Sequence, residues 1–295
     1  MSADLLVVAL GGNAVSPPGG DQSLAAERAA VETAVGELAP LAARHRLLVV
    51  HGNGPQVGRL LAAGPEDPAL DVRVAQPQGE LGYLVVEALD RRLGRDASVA
   101  VVTRVLVAPD DPAFDAPDKP IGPVLAAPPA GVAAARTPDG RGWRRVVASP
   151  RPTAVLELEA VRVLLRTHHV VAGGGGGVAL AATEAGRHGR AAVVDKDHVA
   201  ALLAVALDAR TLVFVTDVPH AFDGFGRATA RPIRAMRAAE ARERLARGVF
   251  APGSMAPKVA SAVAYVAATG RRATIAALGA VEDALAGRTG TSVVP

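Results

Sequence analysis

The lysines are the residues whose types and spacing most strongly suggest chemistry. Among the 32 lysine and arginine residues of this 295-residue chain, only Lys119, Lys196 and Lys258 are lysine. All three fall in or beside loops rather than in the middle of an exposed helix face, where a stray lysine is usually found. A compact ammonium fits between phosphate oxygens, whereas the planar guanidinium of arginine does not. Unless the three are chance survivors of a drift from lysine to arginine, they predict a phosphate-binding site.

A carboxylate accompanies one of these lysines. Lys196 lies between two aspartates in the segment VVDKDH, and Asp197 follows it directly. A neighbouring carboxylate can hold an ammonium in place. We therefore expect Asp197 to orient the lysine of this segment.

Three glycine-rich segments could supply the rest of an anion site. They are GGNAV (11–15), HGNGPQVG (51–58) and GGGGG (173–177), and each follows a predicted strand. Glycine between a strand and a helix lets backbone N–H groups and the helix N-terminus approach an anion. Asn13 and Asn53 would add amide donors, or serve only as turn formers. Because ligands bind beyond the carboxyl ends of strands in open parallel sheets, the three loops are expected to meet at one edge.

The elements that would position these residues alternate short apolar runs with amphipathic stretches. This alternation is typical of βαβ units, so we predict an α/β fold with a mainly parallel sheet and one domain over residues 1–295. The predicted strands cover 5–10, 46–50, 98–107, 168–172, 191–194, 211–216 and 273–278. The predicted helices cover 22–44, 78–93, 154–166, 198–208, 237–247, 257–268 and a short stretch at 280–286.

Residues 109–148 interrupt this alternation. The stretch is rich in Pro, Gly and Asp, shows no clear periodicity and is too long for an ordinary connection. It is either a loosely held insertion or a small protruding subdomain that acts as a lid. It contains Lys119 and the only tryptophan, Trp143.

The composition excludes several classes of protein. The absence of cysteine excludes disulfides, thiolate metal sites and cysteine nucleophiles. The isoelectric point near 9.8 does not indicate nucleic-acid binding, because the net charge is only +3 and the cations are mixed with carboxylates. No apolar run is long enough to span a membrane, and the N-terminus lacks the basic region of a signal peptide. We expect a cytoplasmic protein without nucleic-acid or membrane partners.

One run of glycines also satisfies a dinucleotide-binding fingerprint. Gly174, Gly176 and Ala179 match G-x-G-x-x-A after a predicted strand, and Asp195 lies about twenty residues further on, as that fingerprint requires. Five consecutive glycines satisfy this pattern easily by chance. A ribose-binding carboxylate also does not need Lys196 beside it. No Walker motif is present.

Taken together, the motifs resemble those of the carbamate kinases, within the amino acid kinase superfamily. The segments VVALGGNAV, VVHGNGPQVG, QGELGY, DPAFDAPDKPIG, VVASPRP, AGGGGGVAL, VVDKDHVAALLA and FAPGSMAPKV follow one another in the order of that family over nearly the whole chain. The resemblance implies an open αβα sandwich with a mainly parallel sheet of about eight strands, a small protruding subdomain and a homodimer. It also implies reversible phosphoryl transfer between ATP and carbamate with Mg²⁺, making ADP and carbamoyl phosphate.

The resemblance also implies roles for individual residues. Lys196 and Lys258 would contact the ATP phosphates, Asp197 would organise the lysines, and Lys119 would reach the site from the subdomain. The residues that would hold carbamate and the transferring phosphoryl group are Gly11, Gly12, Asn13, Gly52 and Asn53. The residues that would line the nucleotide pocket are Gly173, Gly174, Gly175, Gly176, Thr216, Asp217, Gly253, Ser254 and Met255. No residue is assigned to Mg²⁺, which is expected to bind through the ATP phosphates.

Three alternatives remain open at this point. The chain could be another amino acid kinase that acts on a larger acid or a phosphate ester, although HGNGPQVG and the insertion with Lys119 argue against this. It could be a nicotinamide-dependent dehydrogenase, or a non-catalytic protein that senses nucleotides. If it is a carbamate kinase, we expect it to make ATP from carbamoyl phosphate formed in arginine, agmatine or purine breakdown.

Overall fold

The computed structural model describes residues 3–16, 23–62, 69–137, 140 and 142–295. The strands are, in chain order, β1 (Leu5–Leu10), β2 (Arg46–His51), β3 (Ser98–Ala100), β4 (Arg104–Val107), β5 (Lys119–Leu125), β6 (Ala134–Arg136), β7 (Trp143–Val147), β8 (Pro152–Val155), β9 (His169–Val171), β10 (Val178–Thr183), β11 (Gly186–Gly189), β12 (Thr211–Thr216), β13 (Ala221–Asp223), β14 (Arg231–Ile233), β15 (Ala235–Arg237), β16 (Ala273–Ala277) and β17 (Thr291–Val294).

The helices are α1 (Gly12–Val15), α2 (Leu24–Ala42), α3 (Gly54–Ala62), α4 (Leu70–Leu93), α5 (Leu158–Leu164), α6 (Lys196–Ala206), α7 (Ala238–Ala246), α8 (Met255–Thr269) and α9 (Val281–Leu285). Two 3₁₀ turns lie at Pro112–Phe114 and Gly174–Gly176. Among the described residues, no helix combines the length and apolar character that crossing a bilayer requires.

The main sheet has eight strands in the order β15-β17-β16-β12-β1-β2-β9-β3. Every neighbouring pair is parallel except β16 and β17. The fold class predicted from the sequence, an open αβα sandwich with a mainly parallel sheet of about eight strands, is therefore confirmed. The strands predicted at 5–10 and 211–216 are β1 and β12, which pair at the centre of the sheet.

Two apolar layers cover the faces of this sheet. Leu5, Val7 and Ala9 of β1 belong to one layer, whereas Leu6, Val8 and Leu10 belong to the other. The first layer packs on α6 and α8, and the second packs on α2 and α4. A strand buried on both faces needs an apolar residue at every position, which is why β1 reads as one continuous apolar run.

The single strand predicted over 98–107 is wrong, because the chain leaves the main sheet at its middle. Residues 98–100 form β3 of the main sheet, whereas 104–107 form β4 of a second sheet with the order β11-β10-β4-β8. At the break, the Gln78 side chain accepts a hydrogen bond from the backbone N–H of Thr103 at 2.8 Å and donates one to its carbonyl at 3.1 Å. A side-chain amide thus replaces a strand neighbour, which apolar periodicity does not reveal.

The strand predicted at 191–194 is also wrong. Its only strand-like pairing is an isolated bridge between Ala192 and Ala148. Ala192, Val193 and Val194 are nevertheless buried. A short apolar run can therefore be buried without belonging to a sheet, and the two cases look alike in the sequence.

Several predicted helix boundaries differ from those of the structure. The helix predicted at 154–166 begins at Leu158, because residues 152–155 pair with β4 as β8. The helix predicted at 78–93 begins at Leu70 and passes through Pro77, and the one predicted at 198–208 begins at Lys196. Residue 22 of the helix predicted at 22–44 lies outside the described residues. The elements that were not predicted are α1, α3, β5, β6, β7, β8, β10, β11, β13, β14, β15 and β17.

The 109–148 segment contains a sheet of its own. Strands β5, β7 and β6 form an antiparallel three-stranded sheet that is separate from the main sheet. Ile121, Val146 and Val147 of this sheet are buried. The segment therefore has strand pairing and buried apolar residues of its own, and its role as a protruding subdomain or lid stays a prediction. Residues 138, 139 and 141 of the segment lie outside the described part of the chain.

Candidate active site

A polar cavity of about 230 Å³ lies beyond the carboxyl ends of β1, β2 and β12. This is the edge at which an open parallel sheet is expected to bind its ligand. The site residues predicted from the sequence that line this cavity are Gly11, Gly12, Asn13, Gly52, Asn53, Lys119, Gly175, Lys196, Asp197, Thr216, Asp217, Gly253, Ser254 and Lys258. The structure therefore brings all three lysines of the chain to one place.

The first two glycine loops form one wall of the cavity. The N–H of Gly11 donates to the carbonyl of Val215 at 3.1 Å, and the N–H of Gly52 donates to the carbonyl of Leu10 at 3.1 Å. A Cβ on Gly52 would lie 3.0 Å from both the Cα and the N of Gly12, so glycine is required for the loops to approach so closely. Each loop then enters a helix, α1 or α3.

The third glycine loop contributes less than the sequence predicts. Only Gly175 lines the cavity, and a Cβ there would lie 2.0 Å from the Asn53 amide nitrogen. Gly173, Gly174 and Gly176 line neither this cavity nor the apolar one beside it. A Cβ on Gly174 would meet His51, and one on Gly176 would meet the backbone of Val194. These glycines permit close packing behind the site.

The same loop argues against the dinucleotide-binding fingerprint. Four of its glycines, Gly173, Gly175, Gly176 and Gly177, have positive φ, and the residues that follow form β10 rather than a helix. That fingerprint requires a helix whose N-terminus faces the pyrophosphate. The structure therefore lacks the element on which the dehydrogenase alternative depends.

Two of the lysines share one buried carboxylate. The Lys196 ammonium donates to Oδ1 of Asp197 at 2.7 Å, and the Lys258 ammonium donates to Oδ2 of the same residue at 3.2 Å. Asp197 is only 2% exposed. Lys196 is the first residue of α6, and Lys258 lies in the first turn of α8, so the carboxylate joins two helices. An aspartate in this position holds both ammonium groups at the cavity wall.

The third lysine reaches the cavity from the subdomain. Lys119, at the start of β5, donates to Oδ2 of Asp195 at 2.5 Å. Asp195 also accepts a hydrogen bond from the Asp197 backbone N–H at 2.9 Å and so caps the N-terminus of α6. The nearby lysines outweigh the effect of burial and hold the pKa of Asp195 well below its usual range.

The two lysines on Asp197 differ in how readily they hold their charge. Burial alone would lower the pKa of Lys196, but the carboxylates of Asp197 and Asp195 outweigh burial and raise it. Burial and the neighbouring charge of Lys196 lower the pKa of Lys258, in spite of its contact with Asp197. A second negative group near Lys258 would stabilise its charged form, and a phosphate is such a group.

Asp195 is a residue of the site that the sequence did not mark for this role. It attracted notice only as a candidate for a ribose contact, whereas the structure makes it the partner of Lys119. The signal was present in the VVDKDH segment, where carboxylates flank the lysine on both sides. Linking Asp195 to Lys119 required the fold, because 76 residues separate the two positions.

A second, apolar cavity of about 190 Å³ adjoins the polar one. The two cavities share Thr216, Asp217 and Ser254. The other residues that line the apolar cavity are Val218, His220, Phe222, Phe225, Val249, Phe250, Ala251 and Met255. Met255, predicted to line the nucleotide pocket, thus lies in the apolar cavity. Asp217 accepts a hydrogen bond from the Asn13 amide, which ties the glycine loop after β1 to the shared wall.

The arrangement suits a ligand with an apolar ring and a chain of phosphates. Ammonium groups and backbone N–H groups line one cavity, and aromatic side chains line the next. Such donors stabilise charge on a transferring phosphoryl group without any proton transfer. Among the described residues, no three His, Cys, Asp or Glu side chains form a group that could hold a metal ion by themselves.

Comparison with known proteins gives one consistent result. The sequence profile described as "Amino acid kinase family" matches residues 4–277. The chain is 43% identical to a carbamate kinase of Escherichia coli, over 98% of both chains. It is 39% identical to a carbamate kinase of Halobacterium salinarum, also over 98% of both chains.

A solved structure gives the same result at the level of the fold. It is a carbamate kinase from Giardia lamblia bound to AMP-PNP. The two chains superpose with a TM-score of 0.89 at 32% identity, covering 99% of this chain and 98% of that one.

Proposed function

Because the chain belongs to the amino acid kinase family, and within it to the carbamate kinases, we propose that its polar cavity transfers a phosphoryl group between ATP and carbamate. The reaction is ATP + carbamate ⇌ ADP + carbamoyl phosphate, and the chain is accordingly a phosphotransferase with a carboxyl-group acceptor. The observation that carries the assignment to this cavity is that every lysine of the sequence reaches it, each from a different element.

The chemistry requires charge stabilisation rather than a base. Carbamate is already an anion at neutral pH, so its attacking oxygen has no proton to lose. The barrier lies in bringing two anions together and in stabilising charge on the transferred group, which positioning and electrostatics accomplish. Lys196 and Lys258 are proposed to bind the phosphates, with Asp197 fixing both ammonium groups between them.

The acceptor is proposed to lie against the two glycine loops. Gly11, Gly12 and Asn13 after β1, and Gly52 and Asn53 after β2, line the polar cavity but not the apolar one. The N–H groups of Gly11 and Gly52 are taken by backbone carbonyls, so the N–H groups of Gly12, Asn13 and Asn53 and the two side-chain amides would hold carbamate and the transferring phosphoryl group in line. Lys119 would cover the phosphoryl group from the subdomain and exchange its contact with Asp195 for one with the ligand.

The adenosine is proposed to occupy the apolar cavity. Phe222, Phe225 and Met255 give it apolar and aromatic walls, as small-molecule sites generally have. Gly253 and Ser254 lie at the boundary with the polar cavity, where the phosphates would continue. The Giardia lamblia carbamate kinase binds AMP-PNP, which supports a nucleotide as the ligand of this protein.

The donor set fits a Mg²⁺ ion that arrives with the nucleotide. Mg²⁺ usually keeps several waters and binds one or two carboxylates together with substrate phosphates. Among the described residues that line the cavity, Asp195 and Asp197 accept hydrogen bonds from lysines, whereas Asp217 accepts one from the neutral amide of Asn13 and acts on Lys196 only through its charge. Asp217 is therefore the residue proposed to hold the ion, which would neutralise charge on the phosphates when bound.

The family also supports proposals about the setting of the reaction. We propose that the protein works as a homodimer in the cytoplasm and makes ATP from carbamoyl phosphate in catabolism. Arginine, agmatine and purine breakdown are candidate sources of that carbamoyl phosphate. The neighbouring genes and the rates in the two directions would distinguish these settings.

The proposal is tested by measuring ATP formation from ADP and carbamoyl phosphate with the purified protein and Mg²⁺. The expected result is rapid ATP formation, and no turnover of ATP with acetylglutamate, UMP or isopentenyl phosphate. Preferred turnover of any of those three acceptors would identify a different amino acid kinase. Tight ATP binding without turnover of any acceptor would identify a nucleotide sensor.

A further inference from the structure

Helix α3 and strand β5 touch at a pair of glycines. A Cβ on Gly58 of α3 would lie 2.0 Å from the Cα of Gly122 and 2.5 Å from its backbone nitrogen. The obstacle is backbone rather than a flexible side chain, so it cannot turn aside. Any other residue at position 58 would push β5 away by about 1.5 Å, because carbon atoms in contact are separated by about 3.5–4.0 Å.

The second glycine is needed for its backbone conformation rather than for space, since a Cβ there would lie 3.5 Å from the Gly58 Cα, an ordinary contact distance. Gly122 has φ +72°, in the left-handed region that favours glycine. The pairing of β5 with β7 shifts register between Ile121 and Leu125, so the strand is bulged at this point. Arg144 of β7 fixes the bulge by donating from Nε to the Gly122 carbonyl at 3.0 Å.

The residues next to the glycine pair attach the subdomain to the main body. Ile121, which is 1% exposed, packs in one apolar cluster with Val57 of α3, beside Gly58. Ile121 and Lys119 are two positions apart on β5, so they lie on the same face of the strand, and both line the polar cavity. The height of β5 above α3 therefore sets where the ammonium of Lys119 lies.

We infer that Gly58 is a positioning residue for Lys119: its missing side chain lets β5 lie close enough to α3 to bring the ammonium over the reacting phosphoryl group. Gly58 lines no part of the polar cavity, so it must act through a neighbouring element, and β5 is the element that its Cβ would meet. The inference rests on the proposed role of Lys119 in phosphoryl transfer. A misplacement of about 1 Å in a catalytic group costs on the order of 10²-fold in rate.

The first test compares Gly58→Ala with Gly79→Ala by steady-state rates of ATP formation. Both glycines lie inside helices, where alanine is the better helix former, and a Cβ on Gly79 has nothing within 4 Å. The expected result for Gly58→Ala is a kcat lower by about 10²-fold, with KM for ADP within about threefold, since the proposed nucleotide contacts lie elsewhere. Gly79→Ala should keep the wild-type kcat.

A double variant separates positioning from a general structural role. If Gly58 acts through Lys119, adding Gly58→Ala to Lys119→Ala should lower kcat no further than Lys119→Ala alone. If the fold-losses in kcat of the two single variants multiply in the double variant, the inference is wrong. It is also wrong if Lys119→Ala has near-normal activity. An active wild type with equal rates in Gly58→Ala and Gly79→Ala would overturn this inference only, whereas an inactive wild type would overturn the proposed function as well.

A second pair of variants decides the matter if Gly58→Ala does not fold. Gly122 and Gly131 both lie in the subdomain with φ +72°, so alanine introduces the same backbone strain at each. Gly122 lies on β5, three positions from Lys119, whereas Gly131 lies outside the strands of the subdomain. Relief of the strain at Gly122 would shift β5 and with it Lys119, so the expected result is a kcat about tenfold lower for Gly122→Ala and near the wild-type value for Gly131→Ala. Equal rates in these two variants would contradict the control of Lys119 by the position of β5.

Discussion

Lys196 and Lys258 share the carboxylate of Asp197, so a phosphate entering the cavity competes with that carboxylate for both ammonium groups. The competition needs donors that can turn between oxygens within a small space. A lysine ammonium has three donors on a flexible stem, whereas the arginine donors are fixed in a plane. At these two positions charge alone is therefore not sufficient, and the shape of the cation matters.

Lys196→Arg and Lys258→Arg should each lower kcat by about 10²–10³-fold, the loss expected when one preorganised charge-stabilising donor is removed. Folding should survive, because the charge is kept and both side chains face a polar cavity. Steady-state rates and a thermal melt of each variant measure the two effects. The control is Arg242→Lys on the exposed face of α7, which should change neither quantity. Near-normal rates in both lysine variants would show that the rarity of lysine carries no functional meaning.

His51, at the end of β2, gives the fold a sensitivity to acid. Burial, with a smaller contribution from the nearby charge of Lys196, lowers its pKa from 6.5 to about 4. Its Nδ1–H donates to the Gly52 carbonyl at 2.9 Å, which partly offsets these effects. Because the folded-state pKa lies below the unfolded-state value, the unfolded chain binds more protons between pH 6.5 and pH 4. Stability from this group is complete above pH 6.5 and declines as the pH falls toward 4.

The expected loss from His51 over that interval is about 3 kcal/mol, from 1.36 kcal/mol for each pKa unit. Denaturant unfolding of the wild type and of His51→Gln at several pH values measures it. His51→Gln should be less stable at pH 7 but should lose less stability between pH 6.5 and pH 4. His188→Gln, at an exposed position, is the matched control and should follow the wild type. Parallel curves for the wild type and His51→Gln would contradict the assignment.

Individual residues of the site were predictable where their chemistry is rare in this chain. The three lysines stood out because arginine fills almost every other cationic position, and all three line the cavity. The same reasoning could not tell apart the roles of the individual glycines from Gly173 to Gly177. Identical residues there have different tasks, since Gly175 faces the cavity while its neighbours pack behind it. Only the backbone angles and neighbours of each position separate the two tasks.

At the scale of elements, the 109–148 subdomain is held to the body mainly through β5. Ile121 anchors the strand in an apolar cluster, and Lys119 ties it to Asp195 across the cavity. Much of the segment is exposed, including Val124 in the second half of β5 and Val132 beyond it. Segments with few buried apolar contacts open locally at low cost, and lids are commonly drawn from them. The subdomain therefore remains our candidate for a lid over the reacting groups.

Hydrogen exchange in residues 109–148 should slow when an ATP analogue and Mg²⁺ bind, most of all in β5 and β7, where backbone pairing can be strengthened. The physical reason is that phosphate contacts to Lys119 would hold the strand over the cavity. Lys119→Ala should bind the analogue but lose most of this protection. The buried strand β1 serves as the internal reference, and its exchange should not change. Equal exchange with and without the analogue would contradict the lid.

Helices and strands were predictable where the pattern of apolar residues directly reflects which faces of the element are buried. The central strands β1 and β12 are apolar at nearly every position because helices cover both faces, and their bounds match the prediction. The 98–107 run failed because a side chain, Gln78, supplies the hydrogen bonds at which the strand breaks. The 191–194 run failed because burial does not require sheet pairing. In each failure a distant partner decided the local structure.

At the scale of the whole molecule, the order of the motifs predicted the family better than periodicity predicted the topology. The sequence indicated a mainly parallel sheet, but the antiparallel β17, inserted between β15 and β16, left no signal. The place of β15 and β17 at the edge of the sheet depends on contacts between segments that are far apart in the sequence. The carboxyl edge of the central strands, where the cavity lies, depends on the first two βα loops and was predictable from them.

The placement of the lysines has a consequence for anyone who labels or immobilises the protein. Amine-selective reagents such as activated esters usually react on the surface, but every lysine of this chain lies at one cavity, and the Lys196 and Lys258 side chains are 11% and 9% exposed. Any terminal amine aside, acylation should be slow, should inactivate the enzyme and should be blocked by ADP with Mg²⁺. The lowered pKa of Lys258 leaves more of its amine neutral than the raised pKa of Lys196 does, so peptide mapping should find Lys258 acylated before Lys196. Rapid acylation with full retention of activity would contradict this placement of the lysines. To immobilise the protein without loss of activity, coupling should use thiol or carboxyl groups introduced elsewhere.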